Sequence, residues 1–405
     1  MRSPRAAILA QACLLALAAG TSYSQELAPG ATREPGPRRL AVFICGSISP
    51  GPTDVFALMR SSLAQSLCLS VNKQPKTAAE IGAEIAAHEL YVREKAEELV
   101  AAEVLKRTDD GRYLASFLAM DAGDYAELRT LSREAGPPMA DLIRQRLPDL
   151  QAAYLRTPVA RAGFSWDESL WPVVGVMLCM RGTWRALQMP IPDPPQRPDG
   201  GWYWLGGFEA TADAGPSLGA GLNVTGGRVL EYGFLWLTGA SGRPALQQES
   251  INVLDAIADG ATTAPGLQAA LGASRDGALA ALQPLLRDGL VIADGERLSL
   301  AFPVYRQEDS DILTPVLDAL AQELARGIML PRLQVIGDSL HARGYGHLGE
   351  PYVRLLRWWM ESPMHEEALR LLAERKVLPP VPSPLPATFG LIAWVRGLPL
   401  MASGL

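Results

Sequence analysis

With 405 residues, 48% of them apolar and 20% charged, the chain has material for two or three packed domains, and large-scale disorder is excluded. A formal net charge of −6 excludes a globally basic protein, the usual state of one that holds duplex DNA by neutralising phosphates. Four cysteines without metal spacing, one of them in the N-terminal apolar run, exclude a disulfide framework.

Residues 1–24 have a secretory layout: Arg2 and Arg5, an apolar run from Ala6 to Gly20, and small residues suited to cleavage. A Pro, Gly and Arg-rich stretch follows, and 25–52 is expected to be a linker. Two localisations follow. The protein is exported or membrane-tethered if 1–24 is translated, and cytoplasmic if the true start lies downstream near Met59.

The next region, 53–121, carries the strongest pattern. Val55, Leu58, Leu63, Leu67 and Val71 predict a first helix. Thr77 with Glu80 three residues on is a capping box that opens a second, with Ile81 and Ile85 on its buried side. After a turn at 87–89, Val92, Ala96 and Leu99 mark one apolar face of a third helix. Leu105 and a hairpin turning at Asp110-Gly111, read as type I′, come next, with Tyr113 and Phe117 available for packing. This order is that of a winged helix-turn-helix.

Residues 122–158 read as a helical connector, broken at Gly136-Pro137-Pro138. Between 159 and 245 the pattern changes to an α+β insertion, with strands over Trp202–Phe208 and Arg228–Leu237. Trp202, Trp204, Tyr232 and Trp236 are candidates to line a pocket for a small-molecule ligand; the competing reading is that all four are core. A second winged motif is expected over 246–303. Placing Thr263 on Thr77 aligns Leu267 with Ile81, Leu271 with Ile85, Ala278 with Val92, Leu282 with Ala96, Leu285 with Leu99 and Val291 with Leu105, always 186 residues apart. Residues 304–405 complete the chain as a helical region, with separate helices at Tyr352–Met360 and Glu366–Glu374 and a final apolar strand or helix within Phe389–Leu400.

No catalytic constellation, metal site or cofactor motif emerges. Val335-Ile336-Gly337-Asp338-Ser339-Leu340 matches the name-giving block of the GDSL esterases, but no Asp or Asn follows Ser339, so the acid and the oxyanion-hole donor are missing. His341 and His347 have no Cys or Asp beside them. The expectation is a non-enzyme.

The segment from Ser61 to Phe117, above all KTAAEIGAEIAAHELYVREKAEELVAAEVLKRTDDGRYLASF, resembles bacterial winged helix-turn-helix regulators of the MarR and ArsR kind. The resemblance implies DNA binding through the third helix and the wing, often as a homodimer. It departs from the ArsR pattern in having no metal-binding Cys pair. The fold class expected is mainly α with small β wings: two winged helix-turn-helix domains around an α+β insertion. Its DNA donors would be Lys73, Lys76, Arg93, Lys95, Lys106, Arg107 and Arg112, with Thr77 at a helix N-terminus, and in the second copy Arg275 and Arg297. Against this, Asn72 to Asp121 holds seven Lys or Arg and ten Asp or Glu, and Ile251 to Pro303 three and six. The leading expectation is a transcriptional regulator on double-stranded DNA, open to a small-molecule ligand. The alternative is a scaffold whose winged helices bind a protein partner.

Overall fold

The computed structural model describes residues 38–47, 54–187, 193–210, 218–221, 228–237, 248–382, 386–396 and 398. The chain is mainly helical with small β-sheets, and it divides into two compact units. The first comprises Met1–Ser132, Met189–Gly215 and Arg332–Glu361; the second comprises Arg133–Gln188, Pro216–Pro331 and Ser362–Leu405.

In the first unit, β1 (Leu40–Ser47) is followed by one helical turn at Val55–Leu58 and then by α1 (Ser62–Ser70), α2 (Ala78–Ile85) and α3 (Glu89–Ala101), so the single first helix expected from Val55 to Val71 is broken where Ser61 caps α1. The capping box at Thr77 forms: its hydroxyl accepts from Glu80 N at 3.2 Å, and the Glu80 carboxylate accepts from Thr77 N at 2.7 Å. Two orphan amides of α2 are thereby satisfied. Ile81, Val92, Ala96 and Leu99 are buried, so α2 and α3 face a common core. The antiparallel pair β2 (Leu105–Arg107) and β3 (Tyr113–Ala115) closes the motif, and Lys76 adds a bridge to Tyr113.

Residues Leu118–Met120 form β4, which leads into α4 (Ala122–Arg133), and Trp202–Glu209 form β5. Strand β5 is central in the sheet β1-β5-β4, antiparallel to β1 and parallel to β4. Gly206 on β5 makes room for the Phe43 ring, since a Cβ there would lie 2.2 Å from Phe43 Cζ. That ring packs 4.2 Å, centroid to centroid, from Trp359.

The second unit contains α5 (Gly136–Tyr154), β6 (Leu218–Gly221) and β7 (Leu230–Leu237). Then come α6 (Gln248–Ala258), α7 (Ala264–Leu271) and α8 (Arg275–Arg287). The hairpin β8 (Val291–Asp294) with β9 (Arg297–Leu300) follows, and Thr263 bridges to Arg297. Each of α6, α7 and α8 starts 186 residues after α1, α2 and α3 in turn, and the helix caps at Ala86 and Gly272 are both left-handed, with φ of 55° and 60°. The two motifs therefore share helix starts, the left-handed cap and a following hairpin as well as an apolar frame, with α6 two residues longer than α1. Strands β10 (Val304–Tyr305) and β11 (Ile392–Val395) join β7 and β6 in the order β10-β11-β7-β6, and α9 (Gln307–Leu324) packs on α5. Asp255 on α6 accepts hydrogen bonds from Val229 N and Leu230 N, at 2.8 and 3.1 Å, which fixes that helix to β7.

Several expectations are corrected. Within 25–52, expected as linker, Leu40–Ser47 is a strand paired along its whole length with β5. A chain starting at Met59 would lack it. The 159–245 insertion is not one body: β5 joins a sheet of the first unit, while β6 and β7 join a sheet of the second, because each strand completes a sheet whose other strands are distant in sequence. The first hairpin is not type I′, which needs two positive φ values, since only Gly111 (φ +80°) has one and Gly111 N donates to Thr108 O at 2.9 Å. Tyr352–Met360 and Glu366–Glu374 are parts of one helix, Glu350–Glu374, that accommodates Pro363. The secretory-like residues 1–24 lie outside the described residues, and among the described residues no helix is long and apolar enough to cross a membrane.

Candidate nucleic-acid interface

The apolar stripe of α3 turns Val92, Ala96 and Leu99 inward, and this decides what the helix shows to solvent. Glu89, Leu90, Tyr91, Arg93, Glu94 and Glu98 are exposed. Leu90 and Tyr91 are 52% and 62% accessible, large values for apolar side chains on a helix that has a core to pack against. Their exposure was legible in the sequence, because both fall off the 92-96-99 stripe.

The cations expected to meet phosphate are drawn together on this motif, but most already face a carboxylate. Arg93 pairs with Glu89 and Lys95 with Glu98 along α3 itself, and Arg107 pairs with Glu97. Arg112 lies 3.3 Å from Glu80 and 3.2 Å from Asp110, and Lys76 pairs with Glu84. Lys106, exposed on β2, enters no ion pair among the described residues. The Thr77 hydroxyl is committed to its own helix cap. In the second motif Arg275, the first residue of α8, and Arg297, on β9, are both exposed and without an ion pair among the described residues.

Lys73 is built into the interior side of the first unit. Its Nζ lies 2.6 Å from Asp121 and 2.7 Å from Asp124, and Asp121 also receives Arg38 at 2.6 Å. Arg38 reaches buried Glu209 at 2.8 Å, and Arg343 lies 3.2 Å from Asp124. Tyr345, fully buried, donates its hydroxyl proton to Asp124 at 2.9 Å and accepts from Asp121 N at 3.2 Å. Partial burial opposes the charge on Lys73, but hydrogen bonds to Asp121 and Asp124 outweigh it and hold the ammonium above its ordinary pKa. For Asp121 burial likewise works against ionisation, and hydrogen bonds from Lys73 and Arg38 still bring its carboxyl below the usual value. Lys73 is thus a member of a folded ion cluster that sequence reading placed among the DNA donors.

The four residues expected to line one pocket sit on two different sheets. Trp202 and Trp204 are on β5, with Trp202 44% exposed and Trp204 edge-on to Tyr352 at 5.3 Å. Tyr232 and Trp236 are on β7; Tyr232 is buried, with its hydroxyl 3.4 Å from Asp255. The core reading fits Tyr232.

The esterase-like block lies inside the helix Leu330–Leu340, where Ser339 Oγ donates to Ile336 O at 2.8 Å instead of ending a strand. No group of three His, Cys, Asp or Glu side chains among the described residues is placed to hold a metal ion. The chain matches no known protein-family model, no curated protein and no solved structure.

Proposed function

We propose that this is a non-catalytic binding protein with two winged helix-turn-helix modules, and that the first module docks a protein partner on the exposed face of α3. The winged-helix reading is supported by three helix starts and the first hairpin strand recurring in the same order at a spacing of 186 residues, with a bridge to the hairpin's return strand just before the second helix in each motif. The docking reading is carried by the composition of that face: Leu90 and Tyr91 exposed beside Glu89, Glu94 and Glu98. Tyr is among the side chains enriched as buried anchors in protein interfaces, and the exposed Leu90 beside Tyr91 extends the apolar area around it.

Charge decides against duplex DNA as the first choice. Exposed ion pairs such as Arg93 with Glu89 are worth at most about 1 kcal/mol, so the cations are easily released. Each cation handed to a phosphate, however, leaves its carboxylate unpaired in the same negative field. With acids in excess on the motif, phosphate neutralisation yields little net attraction.

A second reading, sequence-specific DNA binding by a transcriptional regulator, is favoured by Lys106, Arg275 and Arg297, which stand exposed and unpaired among the described residues. Affinity capture with the wild-type chain and with Leu90→Ser/Tyr91→Ser separates the two. A protein retained by the wild type and lost from the variant is the expected result. A partner held equally by both would remove α3 from the interface.

A further inference from the structure

Beside the C-terminal turn of α3 the first unit has an open cleft of about 510 Å³, within the size range of small-molecule sites. Val100 and Leu105 give it an apolar wall, Lys106 stands at its rim, and Arg197 lines it from the segment before β5. Arg197 is only 8% exposed. Its guanidinium donates to two neutral carbonyls, Tyr203 O at 3.2 Å and Glu103 O at 3.3 Å, and lies 3.5 Å from the Tyr352 hydroxyl. The one carboxylate near it, Glu103, is 3.7 Å away, beyond hydrogen-bond reach, with a side chain 58% exposed. Asp199 is engaged elsewhere, accepting from Gly201 N and the Tyr203 hydroxyl. Arg107 also lines the cleft, but its charge is paired with Glu97.

A buried guanidinium without a close anion is an expensive arrangement, and a close, hydrogen-bonded counter-charge relieves it. Glu103 supplies that counter-charge poorly. Its backbone, at φ +56°, closes α3 as a left-handed helix cap, with Glu103 N donating to Val100 O and Val104 N to Leu99 O, so its side chain projects from the helix end toward the solvent. From this we propose that the cleft binds an organic carboxylate: the acid pairs with Arg197 and Lys106, displacing the Glu103 side chain, and the apolar body lies on Val100 and Leu105. The site is separate from the exposed face of α3, so it stands whether that face meets protein or DNA.

Isothermal titration of the full chain with sodium hexanoate tests this, with hexanol and acetate as controls. Hexanoate is expected to bind saturably and each control about tenfold or more weaker, since one lacks the charge and the other the apolar body. Glu103→Gln removes the competing carboxylate and should tighten hexanoate binding about threefold, whereas Lys106→Glu should weaken it about tenfold. Both substitutions are at exposed positions, so neither depends on the buried Arg197 surviving replacement. Absence of saturable hexanoate binding, equal binding of hexanol, or a dissociation constant unmoved by both substitutions would overturn the proposal.

Discussion

Replacing Tyr345 with Phe removes one oxygen atom from the interior of the first unit and leaves the ring. The hydroxyl donates to Asp124 at 2.9 Å and accepts from Asp121 N at 3.2 Å and from Asn72 Nδ2 at 3.5 Å. The consequences differ by partner. Asp124 keeps Lys73 and Arg343, and Asn72 keeps Ala119 O at 2.9 Å and Asp121 at 3.1 Å. The Asp121 amide loses its acceptor in a place where water has little access. An unsatisfied buried donor costs about 1–3 kcal/mol, and because the ring keeps its volume no cavity term is added. The loss should fall near 1–2 kcal/mol, equivalent to a rise of about five- to thirtyfold in amide exchange. Hydrogen exchange read by mass spectrometry on a peptide spanning 119–125 isolates this site, with Tyr91→Phe, exposed on α3 with its ring edge-on to His88, as the control. Unchanged exchange across 119–125, with a stability loss no larger than that of the control, would refute the claim that Tyr345 closes the ion cluster.

Two further outcomes follow from the first unit. Gly206→Ala should destabilise it by about 1–3 kcal/mol through overlap with the Phe43 ring, and Phe43→Ala by about 3–5 kcal/mol. Urea unfolding of the double variant should show less than the sum of the two losses, because removing the ring frees the space that the new methyl needs; strict additivity would contradict the β1–β5 register. Asp121 has a depressed pKa in the folded state, so its stabilising contribution is present above the ordinary carboxylate value and disappears as pH falls below about 4. Lys73→Met together with Arg38→Met should flatten the acid limb of a stability-against-pH curve measured by thermal unfolding; an unaltered limb would show that Asp121 is not what titrates there.

The helical modules were legible because their signals are local. The cap at Thr77, the stripe Ile81, Val92, Ala96, Leu99 and the matched stripe from Leu267 to Leu285 each depend on residues within a few turns of one another. Strand β1 was not legible, because its partner Trp202–Glu209 lies far along the chain, 169 positions away in the pairing of Leu40 with Glu209, and nothing in LAVFICGS names that partner. The same reason explains the divided insertion: β5 and β7 are both aromatic-rich and are separated only by the short β6, yet pair into different sheets. At the candidate interface the acid excess was visible as a count, but the pairing was not. That Arg107 meets Glu97, or that Lys73 belongs to a cluster with Asp121 and Tyr345, depends on side chains converging from separate elements. Arg197 went unmarked because a lone Arg after a proline-rich stretch gives no sign of burial.

In the function proposed above, the solvent face of α3 docks protein and its cations do not serve phosphate. Binding of the full chain to a pool of random duplex DNA across a salt series tests this most directly. The expected result is no enrichment of any sequence and no saturable binding at low salt, with Arg93→Ala/Arg112→Ala behaving as the wild type. Enrichment of one motif, affinity falling steeply as salt rises, and a shallower salt slope in that double variant would contradict the claim and establish a DNA-reading regulator.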